Sequence, residues 1–410
     1  MVAVHGVLLH MGGLNMLGAR RVAPVLAVAA LLVVCCRAAS AQLPTVRDPG
    51  QGVVSLPSGS TAAAELSGIT WTGGANYLAV GDNGTQAIWT MSVALDSSTG
   101  RITSATVTGS IAAALGSDSE GIAYRATTGS VFVSDEVASS ITQFGDASGT
   151  TIGGVTVPSI YASANVQSNM GLESLAFGPG GLWTANEEAL VPDGSLSTTS
   201  QGSWVRVQRF DAALPAAGQW AYRTDPITAL TSLTTAERSG VVDILPWTAS
   251  TLLVLERELG GSFIPDFRSR LYGVDVAAAS DVSPLASLTG GGFTPLPKTL
   301  LWQGDFGQSN FEGMTVGPTL ADGWTSLLLV ADNGGGIRQD LYALAVVPEP
   351  STWVMGAVGI ACAAWGAARR HSAAGHTQVA ALRRSGCCYA PRATAARSTS
   401  ARSRSASARG

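Results

Sequence analysis

The sequence predicts an all-β chain folded as a β-propeller, and three observations lead to this prediction. A short unit recurs five times, at intervals of roughly fifty to seventy residues, which is typical of propellers and solenoids. Apolar and β-branched runs bounded by Gly, Asn, Asp and Ser are frequent, whereas helix signals are scarce. Each unit also has room for four short antiparallel strands, the composition of one propeller blade.

The recurring unit has two parts. The first part is a short, mostly apolar segment that opens with a small or acidic residue, and it occurs at residues 67–71, 120–124, 173–177, 243–247 and 312–316. The second part is an apolar run that ends in a polar or charged pair. These pairs are Asp82-Asn83, Asp135-Glu136, Asn186-Glu187, Glu256-Arg257 and Asp332-Asn333. Antiparallel pairing brings the start of the first strand beside the end of the second, so we expect a carboxylate rim at one mouth of a central channel.

The number of blades follows from the strands that each unit supplies. The second unit contains four, at residues 121–124, 131–134, 140–144 and 151–157. The fifth unit ends at residues 341–347, one strand short, and residues 52–56 can supply the missing outer strand. Closing the ring with strands from both termini would remove exposed sheet edges. We expect five blades, with six as the alternative because residues 195–246 and 263–304 have room for irregular strands.

The start of the chain, residues 1–41, is predicted to be a signal peptide. Two arginines precede an apolar run over residues 22–34, and residues 39–41 form an Ala-x-Ala cleavage site. The mature chain is expected to start near Gln42. An uncleaved anchor is the alternative, but an apolar run this short spans a bilayer poorly.

The body over residues 42–347 is strongly acidic. It holds 27 acidic and 12 basic residues, a formal charge of −15, whereas nine Arg and no acidic residue follow Ala368. This charge argues against nucleic-acid binding, which needs a basic face, and suits cation binding. All five cysteines and all four histidines lie outside the body. The sequence therefore excludes a disulfide, a Ser-His-Asp triad and a His-ligated zinc site from it.

The repeats resemble those of the secreted phytase-like family, which is often described as having esterase-like activity. The resemblance rests on residues 119–123, 172–176 and 311–315, and on the Asp-Asn-Gly segments at 82–84 and 332–334. It covers residues 53–346 and implies a calcium-dependent propeller that acts on phosphate or other esters. The Asp-Asp-Pro signature of propeller phytases is not found, which weighs against phytate itself as the substrate.

Residues 348–370 resemble the PEP-CTERM sorting signal of exported bacterial proteins. Pro-Glu-Pro is followed by an apolar run over residues 352–368, near the lower limit for a transmembrane helix, and by two arginines that suit a cytoplasmic flank. The resemblance implies recognition by an exosortase-like sorting protease. It also implies location at the cell surface or in the extracellular matrix. Residues 371–410 are rich in Arg, Ser and Ala and are predicted to be a disordered basic tail.

The expected rim offers the hard oxygen ligands that calcium prefers. The predicted metal ligands are Asp82, Glu120, Asp135, Glu173, Asp243, Glu256, Glu312 and Asp332. Without a cation, so many carboxylates around one channel would repel one another or take up protons. Asp and Asn before Gly are also ordinary turn residues, so the alternative for Asp82 and Asp332 is a turn with no ligand.

Three residues are candidates for catalysis. A water activated by calcium would attack an ester, with Glu187 or Glu136 as the general base. Arg257 departs from a column otherwise holding Asn83, Glu136, Glu187 and Asn333. It is suited to neutralising a phosphoryl group or an oxyanion. A salt bridge from Arg257 to Glu256 or to a neighbouring acid is the alternative.

These observations predict a secreted or surface-sorted, calcium-dependent hydrolase of ester or phosphoester substrates. Two alternatives stay open. One is a lactonase-like propeller, which also uses a calcium ion in its channel, and the other is a non-catalytic, calcium-stabilised propeller of the cell surface or matrix. The expected partners are a small-molecule ester and the sorting protease. Contact with a membrane is expected only through the C-terminal helix, before processing.

Overall fold

The computed structural model describes residues 43–56, 63, 65–83, 85–228, 238–260, 265–332 and 339–347. Strands make up nearly all of the regular structure in these ranges, and the helices found there are four 3₁₀ turns of three residues each. None of the helices in the described ranges is long and apolar enough to cross a membrane. The predicted signal peptide, sorting signal with its apolar helix, basic tail and Asn333 all lie outside the described residues.

The strands form five antiparallel sheets, one for each predicted blade. Two short strands precede the first blade, β1 (Thr45–Arg47) and β2 (Val54–Ser55). The first blade contains β3 (Leu66–Gly73), β4 (Asn76–Gly81), β5 (Ile88–Leu95) and β6 (Ile102–Ile111). The second contains β7 (Ser119–Arg125), β8 (Ser130–Asp135), β9 (Ser140–Gly145) and β10 (Thr151–Val155).

The remaining blades follow the same meander. The third contains β11 (Leu172–Gly178), β12 (Gly181–Asn186), β13 (Trp204–Phe210) and β14 (Ala216–Arg223). The fourth contains β15 (Arg238–Pro246), β16 (Thr251–Gly260), β17 (Asp266–Asp275) and β18 (Lys298–Gly307). The fifth contains β19 (Phe311–Thr319), β20 (Thr325–Ala331) and β21 (Asp340–Val347). The six-blade alternative is wrong, because the long segments that suggested it supply strands of the third and fourth blades.

Strands from both ends of the propeller close the ring, as predicted. β21 is the third strand of the fifth blade, and β1 and β2 share the outer position beside it. Thr45 pairs with Val347, and Val54 pairs with Leu341. The expected closing segment thus contributes β2, while β1 adds a contact that was not anticipated. Because the backbone of β21 is paired on both sides, the fifth blade presents no free edge there.

Five of the six apolar clusters among the described residues lie between neighbouring blades, one at each interface. The sixth is smaller and packs Ala221 of β14 against Val282 and Leu288. Leu328 and Val330 face the first blade, whereas Leu327 and Leu329, their neighbours on β20, face the fourth. Successive side chains of a strand point to opposite faces of a sheet, and here both faces are covered. The inner strands therefore read as continuous apolar runs such as residues 327–330, and not as alternating patterns.

The glycines of the repeated motif allow the innermost strands to approach one another closely. A Cβ placed on Gly68 would lie 2.3 Å from the backbone oxygen of Glu120, and one on Gly121 would lie 2.6 Å from the backbone nitrogen of Leu175. Gly313 meets the backbone oxygen of Ser67 in the same way, at 2.4 Å. Contacts this short have no room for a side chain, so the motif glycine is needed for ring closure.

Replacing Gly121 by Ala is therefore expected to lower the free energy of unfolding by about 1–3 kcal/mol, because the added methyl group forces two packed backbones apart. Thermal and urea unfolding measure the change. Gly153→Ala on the outer strand β10 is the matched control, since its Cβ would meet no atom within 4 Å. Equal stability of the two variants would contradict this account of the motif.

Candidate functional site

A β-bulge near the start of every innermost strand places one residue per blade at the channel. The register shifts between Leu66 and Gly68 in the first blade and between Leu172 and Ser174 in the third, and the other three blades shift at equivalent points. We call the residues at these shifts the bulge column. They are Ser67, Glu120, Glu173, Val242 and Glu312.

A second set of channel residues follows the second strand of each blade. The backbone N–H of Asp82 donates to the oxygen of Glu65, and that of Glu136 donates to the oxygen of Asp118. The equivalent positions in the other blades pair in the same register. This second-strand column is Asp82, Glu136, Glu187, Arg257 and Asp332.

The second-strand column corrects one prediction about Arg257. Its counterparts in the first and fifth blades are Asp82 and Asp332, not Asn83 and Asn333. Asn83 is exposed, and its amide donates to the carboxylate of Asp82 at 2.6 Å. The columns were misaligned by one residue because the polar pairs look alike in the sequence, whereas the bulge fixes which member faces the channel.

The sequence analysis missed the third set of residues at this rim, which lies two positions before the bulge column. Glu65, Asp118 and Asn310 occupy it in the first, second and fifth blades, and glycine occupies it in the other two. Residues two apart on a strand share a face. This two-residue period, counted back from Glu120, would have identified Asp118 as a further residue of the rim.

Carboxylates of the first three blades gather into two groups that could hold a metal ion. Asp82, Asp118 and Glu120 each offer an oxygen within 4.8 Å of the others. Glu120, Glu136 and Glu173 form a second group by the same measure. We call these groups cluster 1 and cluster 2. Glu120 belongs to both, and it is buried together with Glu136 and Glu173.

Burial and mutual repulsion raise the pKa of the clustered carboxyl groups. Burial is the largest cause for Glu120 and Glu173, whose pKa values lie well above the ordinary range, and neighbouring carboxylates raise them further. Burial also raises the pKa of Glu136 to about 8 and that of Asp82 to about 7. At neutral pH the cation-free channel therefore retains protons that a bound cation would displace.

The opposite side of the channel carries a buried arginine. A terminal nitrogen of Arg257 lies 2.7 Å from Glu312 Oε1 and 3.1 Å from Glu187 Oε1. Arg238 approaches the other oxygen of Glu187 at 3.5 Å. The salt bridge predicted as the alternative for Arg257 is thus present, but its partners are Glu187 and Glu312. Glu256, its neighbour in sequence, is not among them.

Arg257 also keeps an unused donor. Its Nε atom is buried, and no described residue accepts a hydrogen bond from it. Glu187 and Glu312 raise the pKa of the guanidinium above its ordinary value, although burial opposes this, so the group stays charged. A fixed, charged donor without an acceptor is suited to binding an anionic oxygen.

Asp243 does not belong to the column in which it was predicted. The register pairs it with Leu255 and places Val242 at the bulge, so Asp243 occupies the position of the motif glycines. Its carboxylate accepts hydrogen bonds from the backbone N–H of Met314, at 2.6 Å, and of Ile244, at 2.8 Å. Burial raises its pKa well above the ordinary range. Asp243 therefore ties neighbouring inner strands together.

Glu256 lies on the side of its strand that faces away from the channel. It accepts hydrogen bonds from Tyr222 and from the backbone N–H of Asp225, and Lys298 lies 2.7 Å from its Oε1. Asp135 accepts from the backbone N–H groups of Ala138, at 2.6 Å, and Asp118, at 3.3 Å. Neither residue belongs to cluster 1 or cluster 2.

Among the remaining predicted residues, Glu312 and Asp332 lie at the channel beside Arg257, outside the two clusters. The structure thus brings Asp82, Glu120, Glu136 and Glu173 together with the unanticipated Asp118. That these residues bind a metal ion stays a prediction. That Glu187, Glu136 or Arg257 takes part in catalysis also stays a prediction.

Comparison with solved structures finds matches of low similarity only. The PQQ-bound aldose sugar dehydrogenase from Streptomyces coelicolor is 16% identical, with 72% of this chain and 98% of that chain covered and a TM-score of 0.31. A member of the DUF4221 family from Bacteroides vulgatus is 7% identical, with 75% and 99% covered and a TM-score of 0.35. A Lactobacillus plantarum protein is 10% identical, with 75% and 99% covered and a TM-score of 0.32.

These low scores leave the activity of the chain to be argued from its own residues. Among curated proteins, no sequence matches the chain. The family model described as "Phytase-like: Esterase-like activity of phytase" matches residues 61–335, which is more than half of the chain and reaches from the first blade into the fifth. The chain therefore belongs to the phytase-like family.

Proposed function

We propose that this protein is a calcium-dependent hydrolase of ester or phosphoester substrates, with its site in the acidic channel. The observation that carries the proposal is cluster 2, in which three buried carboxylates converge within 4.8 Å. Groups of like charge at this distance stay ionised together only beside a cation. Membership of the phytase-like family supports ester hydrolysis as the reaction class.

The residues of the channel fit a calcium ion. Glu136 is 2% exposed, its Oε1 accepts from the backbone N–H of Gly171 at 2.6 Å, and its Oε2 has no donor among the described residues. A buried carboxylate oxygen without a donor is costly unless a ligand occupies it. Glu120 and Glu173 would complete this set, which consists of the hard oxygens that calcium prefers.

Calcium, when bound, supplies Lewis-acid chemistry that polarises an ester or phosphoryl oxygen and makes water more acidic. Of the two predicted bases, Glu136 would be a ligand of the cation, so Glu187, which lies outside that ligand set, is the remaining candidate for proton transfer. Its two oxygens face Arg257 and Arg238. Arg257 would hold an anionic substrate oxygen through its unused Nε donor. Glu187 and Glu312 keep that guanidinium in place.

We further propose that the protein works outside the cytoplasm. The export and sorting signals expected in the sequence support this location. The sorting protease would act on the Pro-Glu-Pro segment, whose sequence lies beyond the last described strand.

The proposal predicts hydrolysis that a chelator abolishes. The purified protein is assayed with an aryl phosphate, phytate, an aryl acetate and a lactone, in calcium and in excess chelator. Glu136→Gln is expected to lower kcat by about 100-fold or more, since it removes a carboxylate from the proposed cation site. Asp211→Asn, in an exposed turn outside the channel, is the control and should retain full activity.

The same assay separates the alternatives. Turnover of the lactone alone would indicate a lactonase-like enzyme. No turnover of any substrate, with calcium raising the melting temperature, would refute the hydrolase and leave a calcium-stabilised binding propeller. Turnover that Glu136→Gln leaves unchanged would refute the assignment of Glu136 to the cation site.

A further inference from the structure

We infer that the channel holds two adjacent cation sites that share the carboxylate of Glu120. The inference rests on the proposed function and specifies its cation centre. Cluster 1 and cluster 2 have Glu120 in common and contribute two further carboxylates each. Unpartnered oxygens, the charge of the channel and the position of its arginine each point to two sites.

Cluster 1 has unpartnered oxygens of its own. Ser67 is 4% exposed, and its Oγ has no hydrogen-bond partner among the described residues. It occupies the bulge column in the first blade, next to Glu120 in the second, so it lies on the channel side. Oδ1 of Asp82 is likewise buried without a partner there. The carboxyl group of Asp82 is the one that joins Asp118 and Glu120 in cluster 1.

Cluster 2 has a separate unpartnered oxygen, Glu136 Oε2. The hydrogen bond from Gly171 to the other oxygen fixes the orientation of that carboxylate. Since each cluster has its own buried, unsatisfied oxygen, a single ion that satisfied one cluster would leave the other with the cost of an unpaired acceptor.

The charge of the two clusters also favours two ions. Their members are Asp82, Asp118, Glu120, Glu136 and Glu173. When ionised they carry five negative charges, and among the described residues no Lys or Arg forms an ion pair with any of them. One divalent cation leaves a net charge of −3 in this buried space, whereas two leave −1. Arg257 makes its ion pairs with Glu187 and Glu312 instead.

Calorimetric titration of the chelator-treated, full-length protein with calcium tests this inference. We expect two calcium ions per chain for the wild type. Asp118→Asn removes a ligand of cluster 1 alone, and Glu173→Gln removes one of cluster 2 alone, so each variant should bind one ion. Glu120→Gln should weaken both sites by at least about 10-fold.

One control and one further variant make the titration decisive. Glu187→Gln alters a channel carboxylate outside both clusters and should still bind two ions. Ser67→Ala removes only one hydroxyl and should weaken one site several-fold while leaving the other unchanged, which provides a test if a carboxylate variant fails to fold. Circular dichroism checks the fold of each variant.

One calcium per chain in the wild type would overturn the inference, and so would two ions that both survive Asp118→Asn or Glu173→Gln. These failures differ from failure of the proposed function. Calcium-dependent turnover with a single bound ion would leave the hydrolase standing and remove only the second site. Two ions bound without turnover would leave the two sites standing and refute the hydrolase.

Discussion

Replacing Asp193 by Ala is expected to lower the free energy of unfolding by about 3–5 kcal/mol, because it leaves the buried guanidinium of Arg206 without its counter-ion. Asp193 and Arg206 are both fully buried, and the arginine donates to the two carboxylate oxygens at 2.6 and 2.7 Å. Asp193 also accepts from the backbone N–H of Leu288 at 2.9 Å. The substitution therefore removes three hydrogen bonds and leaves a charge in the interior.

The position of this pair explains the size of the effect. Asp193 lies in the loop that joins the second and third strands of the third blade, and Leu288 lies in the loop between the last two strands of the fourth. Gln219 accepts from the remaining arm of Arg206 at 2.6 Å and donates to Tyr161 at 3.3 Å. Loss of one carboxylate thus disturbs contacts between the third and fourth blades and with the segment that joins the second blade to the third.

Urea unfolding measures the change, and an exposed ion pair provides the control. Arg47 and Asp322 lie 2.7 Å apart, but both are about one-third exposed. Exposed pairs contribute little to stability, so Asp322→Ala should leave the unfolding midpoint almost unchanged. Equal losses of unfolding free energy in the two variants would show that the buried Asp193–Arg206 pair stabilises the protein no more than the exposed pair does.

Raising the pH from 5 to 8 in the presence of a chelator is expected to lower the free energy of unfolding, by an amount on the order of 5 kcal/mol. Burial, with nearby carboxylates, raises the pKa of both Glu136 and Glu312 from 4.5 to about 8. Between these values the folded protein binds more protons than the unfolded chain. Stability therefore falls with rising pH across this window.

Calcium should suppress the part of that fall that comes from Glu136, because a cation bound at cluster 2 stabilises its ionised carboxylate. Glu312 lies outside both clusters, so its part of the fall should persist. Unfolding curves at several pH values, with calcium and with chelator, measure both effects. Glu136→Gln should flatten the dependence in chelator, whereas Asp96→Asn, in an exposed turn, should not. A stability that rises from pH 5 to 8 in chelator would contradict the raised pKa values.

The sequence by itself determined the fold class and the closure of the ring, and it favoured five blades over six. Its repeated motif has a local physical cause, since a glycine such as Gly121 is needed where inner strands touch. The apolar runs reflect burial on both faces of each blade. These features depend on contacts within one blade and with the adjacent blades. The sequence of a single repeat is therefore enough to predict them.

The tertiary structure alone decided which acidic residues face one another across the channel. One bulge shifts the register by a single position and sends Glu120 to the channel, whereas Asp243, in a motif that looks equivalent, binds backbone amides instead. Glu256 and Arg257 likewise point to opposite sides of one strand. Adjacent positions of a strand face opposite ways, so a one-residue ambiguity in the repeat reverses a side chain, and only the hydrogen-bond register resolves it.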